Sequence, residues 1–523
     1  MYYHTIRYLK WIQIRYQIWY RLRLKLRIFF KIKFPLSLPS QPVSLKFIEW
    51  IDKPENLFGD SFRFLNQSHQ FNNYEINWNY DGYGKLWGYN LNYMDYLLQS
   101  NMEKERGLKF IHDFVKKLTD KSTGLEPYPI SLRGINWIKF LTKHGIRNPE
   151  IDNSLFAQYK ILLHNLEYHL MGNHLLENGI SLLFGAFYFN DMRLYEKAKD
   201  IIETELIEQI LNDGGHFELS PMYHQIILDR LLDCVNLVQN NRRFNGQESL
   251  LGLMVGKANE MLNWLNEMTF SNGHIPLLND SAPGIAPTTS RLNEYAATLN
   301  IEPGTLNFKL SSSGYRKFTG SNYECIVDIG HIGASYQPGH AHADTFNFVL
   351  NINKQPCIVD MGISTYEINQ ERIQERGTAS HNAVTICDQN SSGVWSSFRV
   401  AQRARTKIIK DDPNLVIAEH DGYRKFTTTH HRAWNFSEKQ VIITDTLSGK
   451  ITEGKAHLWL APFLEPEIRG NEIILPHAEF AFENSERIEI ITSTLPEGFN
   501  QYSKCIKIEI TFYNHLRSTI SVN

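Results

Sequence analysis

Cysteine is scarce in this chain of 523 residues. The five present, Cys234, Cys325, Cys357, Cys387 and Cys505, are odd in number and widely scattered, and no CxxC pair occurs. That argues against a disulfide framework and for a reducing compartment. Long apolar runs are missing as well. No stretch approaches 18 consecutive apolar residues, so the sequence holds no ordinary membrane-spanning helix. Surplus charge is missing too: the net charge is −2, which leaves no global electrostatic case for nucleic acid as a partner. Acidic residues are absent from the opening stretch "MYYHTIRYLKWIQIRYQIWYRLRLKLRIFFKIKF". A basic residue recurs there every few positions, so it has no uninterrupted apolar core like that of an export signal. At helical period the stretch reads as a basic amphipathic segment. It would lie on an anionic membrane surface, dock a partner, or pack on its own domain. The expected location is cytoplasmic or associated with the inner membrane, with the periplasm as the alternative.

The length predicts two or three domains. Hydrophobic residues at 42% and charged residues at 21% suit a globular protein with a large core. Aromatics reach 12%, which serves a core and equally serves stacking on sugar rings. From about residue 95 to 300, segments such as "GLKFIHDFVKKLTD", "SLFAQYKILLHNLEYHL" and "QIILDRLLDCVNLVQN" place apolar residues at i, i+3 and i+4. At least seven helices with short connections predict an antiparallel bundle or a curved array of helical hairpins. Near residue 300 the texture changes to short β-branched segments such as "YECIVDIG", "QPCIVDMG" and "KQVIITDTL" with turn residues between them. These predict an all-β domain of sandwich type. The fold class is therefore α+β and multidomain. It divides into a basic amphipathic segment at 1–50, a helical domain at 51–305 and a β domain at 306–523.

The stretch "GHAHAD", residues 339–344, crowds two imidazoles together. On a strand, His340 and His342 would face the same way. His342, with Asp360 at the end of "QPCIVD" and His381 in "SHNAV", offers two imidazoles and a carboxylate, a plausible zinc set. Backbone or acid partners for these histidines are the plainer alternative. His340 would then remain as a separate chemical group. In the helical part, "GNHLLENG" carries Asn173, His174, Glu177 and Asn178. "NDGGHFELSPMYHQ" carries His216, Glu218, Tyr223 and His224. Ser220-Pro221 predicts a helix start. Tyr223 would sit in its first turn, where the helix dipole lowers a phenol pKa. Capping and core packing are the competing roles for each of these residues.

Together these stretches resemble the heparinase II/III family of polysaccharide lyases. The resemblance rests on "LWGYNLNY", "YPISLRGINWI", "NHLLENG", "GGHFELSPMYHQ", "GHAHADTFNF" and "SHNAV", in that order. It implies an incomplete α/α toroid followed by an antiparallel β-sandwich. It also implies β-elimination on a uronate-containing glycan: the C5 proton is removed and the C4–O bond breaks. On that reading Asn173 and His174 neutralise the substrate carboxylate, while Tyr223 and His340 handle the protons. His342, Asp360 and His381 match the ligands of a structural zinc. Arg133, Asn136 and Trp137 would line the cleft, with Glu177, Arg376, Trp395 and Arg399 as further candidates for substrate contact. The implied partner is an acidic, uronate-containing polysaccharide. A uronate C5-epimerase and a non-catalytic glycan-binding or assembly protein are the alternatives.

Overall fold

A computed structural model describes residues 2–30, 42–72, 75–118, 124–304 and 308–523. The expected domain boundary at 305/306 lies outside these residues. A short helix, α1 (Tyr2–Ile6), and a long one, α2 (Trp11–Phe30), open the structure. A small three-stranded sheet follows over residues 57–70. The helical region is then built from α3 (Lys85–Tyr93), α4 (Lys104–Lys116), α5 (Pro127–Lys143), α6 (Pro149–His164), α7 (Gly172–Phe189), α8 (Met192–Gln209), α9 (Pro221–Asn240), α10 (Gln247–Met268) and α11 (Thr289–Thr298). Within it α5 packs against α7, α7 against α8, and α9 against α10. Among the described residues, no helix is long and apolar enough to cross a membrane.

Local chemistry sets the helix starts. Asn148 caps α6 by accepting from the backbone N–H groups of Glu150 and Ile151, and Ser220 caps α9 by accepting from that of Tyr223. A proline follows each cap, where its missing N–H costs nothing. α7 is buried on nearly every side, so its apolar residues do not form a single stripe. The helical reading of "NLEYHL" does not hold. α6 stops at His164, and residues 165–171 form the loop that delivers α7. The sequence reading also missed α3, α11 and the small sheet.

The β region contains a four-stranded antiparallel sheet (Tyr315–Thr319, Tyr323–Asp328, Phe348–Ile352, Gln355–Ile358) and a ten-stranded sheet. Its two longest strands, Ala478–Pro496 and Tyr502–Val522, pair with each other. The two sheets share one hydrophobic cluster, in which the rings of Phe318 and Phe436 stack 3.8 Å apart. Residues 339–347 are not a strand. They form a loop that ends where Phe348–Ile352 begins.

Candidate active site

The start of α7, the start of α9 and the 339–347 loop converge on one point. Asn173 is the second residue of α7, and its amide Nδ2 donates to Glu218 Oε2 at 2.8 Å. Its backbone N–H donates to Glu218 Oε1 at 3.3 Å. Gly172 precedes it with φ +60, and a Cβ there would come 2.8 Å from Glu218 Oε1. Glycine thus satisfies both the left-handed backbone and the close approach of the carboxylate. His174 follows it on α7, with Nδ1 3.1 Å from Glu167 Oε1. Burial alone would lower the His174 pKa, but the Glu167 carboxylate, helped by Glu218 and Glu177, raises it.

Tyr223 and His340 come from different regions of the chain and stack ring on ring, with centroids 3.9 Å apart. The Tyr223 hydroxyl lies 3.1 Å from the Tyr366 hydroxyl. The expectation of a lowered phenol pKa fails. Burial, the Tyr366 hydroxyl and the carboxylates of Asp280 and Glu218 push it well above its ordinary value. These outweigh the dipole of α9, so Tyr223 is held as a neutral phenol.

His340 and His342 are joined by a residue the sequence reading did not single out. Asp280 Oδ2 lies 2.8 Å from His340 Nδ1, and Asp280 Oδ1 lies 2.8 Å from His342 Nε2. Arg372 donates to both oxygens of the same carboxylate. Burial acts to raise the Asp280 carboxyl, but Arg372 and the two imidazoles outweigh it and hold it well below the usual range. A carboxylate only accepts, so His340 Nδ1 carries the proton and Nε2 presents a lone pair. That lone pair is 3.5 Å from Asn173 Nδ2. The ring of Phe398 stands edge-on to His340 at 5.9 Å.

The three residues expected to bind metal are neighbours, but both Asp360 oxygens already accept hydrogen bonds, Oδ1 from the Gly362 N–H and Oδ2 from Asn347. His381 Nδ1 lies 2.8 Å from Asp360 Oδ2, and the rings of His342 and His381 are 5.2 Å apart. Burial pushes the His342 imidazole down to about 3. His342 Nδ1, His381 Nε2 and Asp344 Oδ2 are buried without a hydrogen-bond partner. Such atoms suit a divalent cation. Yet among the described residues, no group of three or more His, Cys, Asp or Glu side chains is arranged to hold an ion. The donor chemistry fits zinc, but the spacing does not close a site.

Most of the expected substrate contacts are assigned to the fold instead. Arg133 is fully buried and donates to Gln158 Oε1 and to the carbonyls of Asn92 and Gly124. Asn136 donates to the Tyr93 carbonyl, and the Trp137 indole N–H meets Met94 Sδ in the core. Glu177 orients neither Asn173 nor His174; it pairs with Arg230 at 3.3 Å. Arg376 is buried and donates to backbone carbonyls, including that of Ala341 between the two histidines. The Trp395 indole N–H meets Thr5 Oγ1 at 3.3 Å. Arg399 stays exposed, next to Phe398. His216 and His224 are buried, bonded to Gln209 Oε1 and the Met261 carbonyl.

A helical region that brings Asn173 and Tyr223 against His340 from a β region defines a recognisable class. Two models of one family match in chain order: the heparinase II/III N-terminus over residues 151–308 and the heparinase II/III-like C-terminal domain over 302–518. The chain belongs to the heparinase II/III family. It is 24% identical over 339 residues to a heparin-sulfate lyase of Pedobacter heparinus, a match covering 59% of this chain and 49% of that protein. A heparin-sulfate lyase of Bacteroides stercoris is 24% identical over 327 residues, 58% of this chain and 48% of the relative. The chain spans about half the length of the curated relatives it matches. The crystal structure of heparinase III superposes with a TM-score of 0.65 at 16% identity, covering 86% of this chain and 79% of that one. The heparan sulfate lyase HepC from Pedobacter heparinus gives 0.58 at 16% identity, covering 88% and 81%. The likeness to these structures is one of fold.

Proposed function

We propose that the protein is a polysaccharide lyase that cleaves a uronate-containing acidic glycan by β-elimination. The observation that carries the reading is the stacked Tyr223–His340 pair beside the Asn173 amide. One imidazole lone pair, one neutral phenol and one amide donor meet at one place. They are the three groups the reaction asks for. The proposed architecture behind them is an incomplete α/α toroid followed by an antiparallel β-sandwich.

In the proposed reaction, Asn173 and His174 hydrogen-bond the uronate carboxylate, so charge building at C5 meets fixed donors. Substrate displaces the long contact between Asn173 and His340. His340 Nε2 takes the C5 proton, with Asp280 stabilising the imidazolium through Nδ1. The C5–H electrons form the C4–C5 double bond as the C4–O bond breaks. Tyr223 gives its proton to the departing oxygen. The phenolate is then reprotonated from the stacked imidazolium, directly or through water. Phe398, edge-on to His340, and the exposed Arg399 next to it contact the sugar. The structural divalent cation expected at His342, Asp360 and His381 enters no step of this reading, and the described side chains close no site for it.

The test is ultraviolet absorbance of the 4,5-unsaturated uronate, followed with purified protein on a panel of uronate polymers. Heparin and heparan sulfate come first, because the relatives carry those names. A rise on at least one polymer supports elimination. Binding without a rise on any of them contradicts it.

A further inference from the structure

We propose that the outward face of α2 is a docking surface for an anionic lipid membrane. The helix has two unlike sides. Its inner side is fixed to the protein's own helical region. Gln13 Nε2 donates to the Leu170 carbonyl at 3.1 Å, the Tyr20 hydroxyl donates to the Leu166 carbonyl, and the Tyr16 ring stacks on Tyr168 at 4.7 Å. All three partners lie in the 165–171 loop. The helix is therefore held in a set orientation rather than left as a free tail.

At 3.6 residues per turn, positions 11, 18 and 22 fall on the side opposite those anchors. There Trp11 is 74% exposed, Ile18 62% and Leu22 48%. Trp19 flanks them at 46%. Exposed apolar side chains aligned on one side of a secured helix mark an interaction surface. Charge selects the occupant. Arg15 and Lys25 are exposed on the same stripe, α2 contains five Lys or Arg and no acid, and no acidic residue precedes Glu49. A second copy of this face would bring cations against cations. An acidic polymer alone would leave Trp11, Ile18 and Leu22 in water. A bilayer with anionic headgroups satisfies both features. The indole rings and aliphatic side chains enter the headgroup boundary, while the basic side chains extend to the phosphates.

Co-sedimentation of the full chain with phosphatidylcholine vesicles, with and without phosphatidylglycerol, tests this. Partitioning is expected onto the vesicles containing phosphatidylglycerol and not onto phosphatidylcholine alone. Arg15→Gln with Lys25→Gln should weaken it roughly tenfold to thirtyfold. Ile18→Glu with Leu22→Glu should abolish it with the melting temperature unchanged, since both sites are exposed. Failure to partition onto anionic vesicles overturns the proposal, as does equal partitioning of the wild type and both variants. So does self-association in sedimentation equilibrium that Ile18→Glu removes, or retention on heparin without any retention on vesicles.

Discussion

Asp280 is the residue on which the site turns. It receives His340, His342 and Arg372 at once, and it fixes which nitrogen of His340 carries the proton. Asp280→Asn preserves shape but removes the charge that supports the imidazolium. The expected result is a fall in kcat of about 10²–10⁴-fold with KM little changed. A change in KM alone would assign Asp280 to substrate binding instead. Arg133 makes the opposite case. Its family-like surroundings suggested uronate recognition, but its donors are spent inside the fold. Arg133→Ala leaves buried acceptors unpaired and should cost about 3 kcal/mol or more, read as a lower urea midpoint with KM unchanged in the folded fraction. Asn173, Tyr223 and His340 were legible because each lies in a dense polar motif. Asp280 was not, because "LLNDSAP" is one acid in an ordinary loop, and its partners lie 60 to 92 residues away in sequence.

At the scale of elements, the site depends on where α7 begins. The 165–171 loop carries Glu167, and Gln209 at the end of α8 donates to the Gly172 carbonyl at 2.9 Å. Glu205 accepts from Gln209 at 2.7 Å, and burial pushes its carboxyl up to about 7. A carboxyl raised in the folded state stabilises the fold fully below its ordinary value, and that contribution is lost as pH rises through about 7. Glu205→Gln should flatten this part of the pH dependence. The variant should gain on the wild type between pH 5 and 8 by up to ~3 kcal/mol; parallel stability curves would contradict this. Apart from α3 and α11, the helices of this region were legible from periodicity, and the start of α9 from Ser220-Pro221. The end of α6 was not, because "NLEYHL" keeps an apolar spacing while serving as a loop. The 339–347 stretch misled in the same way: alternation around His340 and His342 mimics a strand, but what brings the two rings together is a shared carboxylate.

At the scale of the whole molecule, the proposed elimination requires two regions of different texture to meet, one giving Asn173 and Tyr223 and the other His340. That order was legible from the change of pattern near residue 300, since helical and strand periods are distinct. The contact between the regions was not, because it depends on single polar side chains. The central claim, elimination by the Tyr223–His340 pair, is tested most directly by following the unsaturated uronate with wild type, Tyr223→Phe and His340→Ala on the best polymer from the panel. The account predicts a rise for the wild type and a loss of at least about 10²-fold in each variant, with glycan binding and melting temperature retained. Undiminished rates in either variant would contradict it.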